Sequence, residues 1–345
     1  MKLALAIGYS GAQMALPVKR VQRAEELGYD SVWTAEAYGS DALSPLAYLA
    51  AVTQRIKLGS GIIQLAARTP ANAAMTAATI DAMSGGRMLL GIGVSGPQIV
   101  EGWYGQPWGR PYYRIKDYVS IIRKIWAREE PVTHEGKEIS LPYTGEGSAG
   151  LAKPLKSILH MNPDIPIYLG TGNEASVRLT GEIADGWLPL GFVPGSLPEY
   201  LPWLEEGFKR AGNGKSLANF EIMTNCHVFV DNDVQAALDA MKPETALYVG
   251  GMGARGKNFH KDLMTRRGFG DAAERIQELY LAGHKDEAIA AVPDEWVDQK
   301  SLVGPPARII ERYRAWEDSG ATSLGVRTQQ DEAVEVMAKA ARLNV

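Results

Sequence analysis

Ser84-Gly-Gly-Arg-Met-Leu-Leu-Gly-Ile-Gly-Val-Ser-Gly-Pro-Gln98 reads as a helix stop, a buried strand and a glycine-rich mouth. It contains Gly91-x-Gly93-x-x-Gly96, the spacing of a dinucleotide-binding turn. Such a turn needs the motif after the first strand of its unit, opening a helix, with an acidic residue about 20 positions further on. Here the motif follows a fourth strand. What comes next, Pro97-Gln-Ile-Val-Glu-Gly-Trp-Tyr-Gly-Gln-Pro-Trp108, has too many breakers for a long helix. The stretch therefore reads as a barrel strand whose glycines let neighbouring groups approach the backbone closely. Gly251-x-Gly253-x-x-Gly256 repeats the spacing without a strand before it or a helix after it.

Upstream, strands and helices alternate with little connecting material. Strands are expected at 3–8, 31–35, 56–63 and 87–93. Helices are expected at 17–27, with Pro17 in the first turn and Gly28 past the end, at 44–53 behind Ser44-Pro45, and at 70–83. The strands are near-continuous apolar runs, as in a parallel sheet covered on both faces. Downstream, 112–128 is an amphipathic helix carrying Ile115, Val119, Ile122 and Trp126. A Gly- and Pro-rich stretch without helical pattern then runs to 163. The alternation resumes with strands at 165–170, 186–190 and 220–230 and helices at 174–183, 197–211 and 234–241. It closes with a helix at 309–319, an eighth strand at 323–327 and a helix at 332–343. Helices near 272–282 and 285–291 lie within the last long interruption. The expectation is an α/β fold, a (β/α)8 TIM barrel in one domain over 1–345, with insertions of about 129–164 and 246–303 after strands 4 and 7.

The chain has 345 residues, 46% hydrophobic and 22% charged, as soluble enzymes do. A net charge of -4 gives no field for nucleic acid or an anionic membrane surface, and no apolar run approaches the length of a membrane span. Cys226, the only cysteine, lies in an apolar strand and reads as a core thiol in a cytoplasmic protein. The five histidines, His134, His160, His227, His260 and His284, show no metal-ligand spacing, so no metal site is expected. Arg255, Lys257, His260 and Lys261 form a basic loop that reads as a solvated face or subunit contact, with an anionic ligand as the alternative.

Four places invite a functional reading. Ile165-Pro-Ile-Tyr-Leu-Gly-Thr-Gly-Asn173 runs a strand into a helix N-terminus, which suits a phosphate or is a plain turn capped by Thr171 or Asn173. Leu58-Gly-Ser-Gly61 puts small residues inside an apolar strand, for a bulge or for tight packing. Glu36, at the end of strand two, and Arg68, after strand three, are either functional groups at the catalytic face or charges that pair.

Taken together, these segments resemble the luciferase-like, coenzyme F420-dependent oxidoreductases, the superfamily of bacterial luciferase and methylenetetrahydromethanopterin reductase. The resemblance rests on Ser31-Val-Trp-Thr-Ala-Glu-Ala-Tyr38, Leu58-Gly-Ser-Gly-Ile62, Arg68-Thr-Pro-Ala71, the 84–93 stretch, Pro166-Ile-Tyr-Leu-Gly-Thr-Gly172 and Ala184-Asp-Gly-Trp187, in family order over nearly the whole chain. It implies a deazaflavin, coenzyme F420, at the C-terminal end of the barrel. It places a bulge with a non-proline cis peptide at Gly61-Ile62 behind the ring and a phosphate cradle at Gly170, Thr171, Gly172 and Asn173. Ser95, Gly96 and Gln98 fall beside the ring.

Two departures stand out. Relatives with a substrate-handling His after the strand-two carboxylate have Glu36-Ala37 as their counterpart here. Val94 replaces the Glu of the sugar-phosphate dehydrogenases. Sugar-phosphate oxidation is thus not expected, and Glu36 is left as the candidate acid–base residue. The leading expectation is hydride transfer between the deazaflavin C5 and a small organic substrate. The alternatives are an FMN-dependent monooxygenase and a non-catalytic F420-binding protein. A homodimer is the oligomer entertained.

Overall fold

The computed structural model describes residues 1–252, 256 and 258–343. Arg255, Lys257 and the central Gly253 of the second glycine motif lie outside them. Eight parallel strands close a ring: β1 (Lys2–Gly8), β2 (Ser31–Thr34), β3 (Lys57–Ser60), β4 (Met88–Gly93), β5 (Ile167–Thr171), β6 (Gly186–Pro189), β7 (Glu221–Val230) and β8 (Ser323–Arg327). Each pairs with the next, and β8 returns to β1 with Lys2 opposite Ser323. Helices connect the strands, and this is the (β/α)8 barrel that the alternating pattern predicts. No helix among the described residues is long and apolar enough to cross a membrane.

Side-chain alternation explains why the strands read as continuous apolar runs. Leu3, Leu5, Val32, Leu58, Leu90, Ile167, Leu169 and Ile222 face the helices and join the main core. Their neighbours Ala4, Trp33, Leu89, Tyr168 and Met223 turn inward and plug the barrel, with Trp33 and Tyr168 edge-to-face at 5.2 Å. Gly59 makes room for this plug, since a Cβ there would lie 2.4 Å from the Trp33 ring.

The run at 56–63, expected as one strand, is two. β3 stops at Ser60, the Gly61–Ile62 peptide is cis, and pairing with β4 resumes at Ile63–Gln64. At the interruption Ser60 stands in for the ladder: its hydroxyl donates to the Gly91 carbonyl at 3.0 Å and accepts the Gly91 N–H at 2.9 Å. Gly91 and Gly93 follow from this detour. A Cβ on Gly91 would fall 1.9 Å from the Ser60 carbonyl oxygen, and one on Gly93 2.9 Å from the Ile62 side chain. The glycine motif of the opening stretch thus serves the packing of β3 against β4. The segment beyond it is a short helix, Pro97–Gly102, with Gly96 as its N-cap.

The first insertion contains only a small hairpin, His134–Glu135 with Ser140–Leu141, and otherwise irregular chain. The second is a helical lobe with its own apolar core, including Val249, Met264, Ile276, Trp296 and Val303. It also holds a strand the sequence did not signal: Ser301–Gly304 adds in parallel to His227–Val230 of β7. That strand anchors the lobe to the barrel's C-terminal end.

Candidate active site

A cavity of about 420 Å³ opens at the C-terminal end of the barrel, where catalytic sites of this fold lie. Its floor is the apolar plug, Trp33 and Met223, with Leu188 beside them. One wall is formed by the ends of β1, β2 and the Gly61 bulge. The other comes from the end of β7 and from the helical lobe, which contributes Tyr248, His260, Arg267, Trp296 and Lys300.

Charge is concentrated on the lobe side. Glu244, in the helix Val234–Ala246, meets Arg327 at 2.7 Å and His227 Nε2 at 3.3 Å, so both carboxylate oxygens are engaged. Burial alone would raise the Glu244 carboxyl, but the charge and hydrogen bond of Arg327 oppose it and the group is held below the usual carboxylate range. Burial, reinforced by Arg327, pushes His227 down to about 4. Burial, reinforced by Lys300, does the same to His260, also to about 4. Both imidazoles are therefore neutral at pH 7. Lys300 donates to the Thr245 hydroxyl at 3.1 Å and lies 4.9 Å over the Trp296 ring. Burial lowers it to about 8: Glu244 opposes the shift, while Arg267 and Arg327 add to it. The Tyr248 hydroxyl is 3.2 Å from that of Tyr9, and its ring is 4.7 Å from His260. Burial raises the Tyr248 phenol well above its ordinary value.

The residues expected from sequence divide into three groups. Gly61 lines the cavity, and the side chain of Ile62 lies against Gly93 and Gly170. Ser95, in a left-handed conformation at φ 62°, with Gly96 and Gln98, sits on the β4 side, away from the cavity lining. Gly170 and Thr171 end β5, and Gly172 and Asn173 lead into the helix Glu174–Ile183. There Asn173 caps the helix by accepting the Ser176 N–H at 3.0 Å. The Thr171 and Thr180 hydroxyls are 2.8 Å apart, and Thr180 donates to the Ser176 carbonyl, so Thr171 donates inward to Thr180. Backbone amides of this turn, not the Thr171 hydroxyl proton, are what it can offer an anion.

Glu36 is placed differently from the expectation of an acid–base group. Its carboxylate accepts the backbone N–H of Ala42 and of Gln64 and both oxygens meet Arg68, at 2.7 and 2.9 Å. It is buried outside the cavity lining and ties the chain after β2 to the segment beyond the Gly61–Ile62 bulge. Of its two readings, the charge pair with Arg68 is the one present. In its place the structure brings His227, Glu244, Arg327, His260 and Lys300 together. Little in the sequence signals them: they come from two strand ends and a lobe without repeating pattern, and the histidines show no ligand spacing. Among the other histidines, His134 contacts Asp117 at 3.2 Å and His284 contacts Glu287 at 3.0 Å. Lys261, from the basic loop, pairs with Glu274 on the lobe. Cys226 is fully buried, and burial pushes its thiol up.

The profile of the luciferase-like monooxygenase family matches residues 6–323. A protein of Mycobacterium tuberculosis named for coenzyme F420-dependent oxidoreductase activity is 46% identical over 98% of both chains. The 5,10-methylenetetrahydromethanopterin reductase of Archaeoglobus fulgidus is 29% identical, covering 88% of this chain and 86% of its own. The solved F420-dependent tetrahydromethanopterin reductase of Methanopyrus kandleri superposes with a TM-score of 0.79 over 98% of this chain and 97% of that one, at 24% identity, which supports the fold. With a profile match over most of its length and a relative 46% identical from end to end, the chain belongs to the luciferase-like monooxygenase family.

Proposed function

We propose that this protein is an F420-dependent oxidoreductase that moves a hydride between the deazaflavin C5 and a small organic substrate held in the barrel-mouth cavity. The observation that carries the reading is the 46% identity, end to end, with a relative named for F420 use. The residues present fit such a group. Gly61 opens on a cavity with an apolar floor, as a flat ring requires. At the β5 turn, a Cβ on Gly172 would meet nothing nearer than 3.7 Å, so the backbone there is open to close approach by a phosphodiester beside a helix N-terminus. Ile62, Gly172 and Asn173 would hold the cofactor, with Ser95, Gly96 and Gln98 on the neighbouring strand end.

When bound, the deazaflavin supplies a two-electron carrier. The chain supplies placement, exclusion of water and a proton site. His227 at the end of β7 and His260 on the lobe, both neutral at pH 7, and Tyr248, protonated there, are groups of the cavity able to accept or give a proton, in place of Glu36. Titrating the purified protein with F420 and with FMN, followed by tryptophan fluorescence, tests the reading. Micromolar F420 binding is expected. FMN binding with NADH-supported oxygen uptake, and none of F420, would instead make it an FMN monooxygenase.

A further inference from the structure

The lobe wall carries more positive charge than it neutralises. Among the described residues lining the cavity there are three basic side chains, Arg267, Lys300 and Arg327, and one carboxylate, Glu244. Glu244 is fully engaged by Arg327 and His227. Lys300 has the Thr245 hydroxyl and the Trp296 ring face, and Arg267 donates to the Ser196 hydroxyl at 3.0 Å. Neither has a carboxylate within ion-pair distance among the described residues. They act on one another: burial first, and then Arg267 and Arg327, disfavour the charged form of Lys300 against the pull of Glu244. Burial also disfavours the charged form of Arg267. Removing cations from water without a counter-charge is costly, and an ammonium with spare protons is an incomplete hydrogen-bonding group. An oxyanion from a ligand would complete it with charge-assisted bonds. Leu188, Phe192, Met223 and Leu263 give the same cavity apolar lining, alongside the neutral polar side chains of Thr224 and Asn225.

We propose that the substrate is an apolar molecule bearing one oxyanion group, and that Lys300 and Arg267 bind that group. The proposal rests on the reading of this cavity as the substrate site of the oxidoreductase.

The test uses the full chain without added cofactor and the paired probes 4-phenylbutyrate and 4-phenylbutyramide. Binding is read by tryptophan fluorescence, since Trp296 lies beneath Lys300, and by calorimetry. The acid is expected to bind about tenfold or more tightly than the amide. Lys300→Met and Arg267→Met should each bring the ratio towards one while leaving amide affinity unchanged. Retained amide binding also shows that a variant is folded. Inorganic phosphate is the third probe: displacement of the acid assigns the site to a phosphate ester, and no displacement assigns it to a carboxylate. Equal binding of acid and amide, binding of neither at millimolar concentration, or a ratio unmoved in both variants overturns the proposal. Acid selectivity without F420 binding would leave the anion site standing and remove the oxidoreductase reading; F420 binding without acid selectivity would do the reverse.

Discussion

At the residue scale, Glu36 and the cavity histidines His227 and His260 exchange roles relative to what their sequence contexts suggest. Glu36 sits where catalytic carboxylates of barrels are found, but its oxygens are consumed by Arg68, Ala42 and Gln64. Removing one partner of a buried, hydrogen-bonded ion pair is costly, so Glu36→Ala should lower stability by about 3 kcal/mol in urea denaturation. A loss below about 1 kcal/mol would show that the clamp is not needed to hold the bulge. The histidines carry the opposite expectation. With His227 and His260 lowered to about 4, the unfolded chain binds protons between about pH 6.5 and 4 that the folded chain refuses. Their contribution to stability is therefore complete above pH 6.5 and is lost as the pH falls through 4. His260→Gln should flatten the fall in urea midpoint between pH 7 and 5. NMR titration of the imidazoles should find both rings neutral at pH 5.5; a ring protonating near 6.5 would rule this out.

At the element scale, the interruption of β3 decides what β4 can contain. The Ser60 hydroxyl takes over both hydrogen bonds of Gly91, and the chain comes too close for any side chain there. Gly91→Ala should cost about 3 kcal/mol or more, or prevent folding, because the neighbour to be displaced is backbone. Gly172→Ala, in the β5 turn, has space and an ordinary φ, so its melting temperature should stay near that of the parent. Its F420 affinity should nonetheless fall if the phosphodiester lies on that backbone. A Gly172→Ala protein with unchanged F420 affinity would place the cofactor's phosphate elsewhere. This contrast also separates the two glycine motifs by function. Gly91-x-Gly93 is a packing device between strands, while Gly172 is a half-buried turn residue with open space at its backbone.

At the scale of the whole molecule, a barrel provides the floor and a helical lobe provides the chemistry of one wall. The lobe's core is small and its helices are interrupted by wide turns at Leu247–Gly251 and Thr265–Phe269, the latter containing Gly268 at φ 88°. Native-state hydrogen exchange should therefore show lower protection in 234–298 than in β1, β4 and β8, with protection in the lobe rising when a cavity ligand binds. Equal protection in both regions without ligand would mean that the lobe unfolds only with the barrel.

The barrel was legible because each strand is buried on both faces, which leaves a run of apolar residues bounded by helix caps such as Thr69-Pro70 and Gly85. The break in β3 and the β5 turn were legible through the resemblance and through their glycines. The strand at Ser301–Gly304 was not, because four residues whose pairing partner is some seventy positions away leave no local period. Nor were Glu244, Arg267, Lys300 and Arg327, whose charges look like solvated faces until the lobe folds over the barrel mouth. Periodicity and capping are local properties, so the sequence by itself determined the eight β/α units and where their ligand-facing ends lie. Which charges meet, which are spent on one another and which are left over for a ligand depend on groups far apart in the chain, and only the tertiary structure decided that.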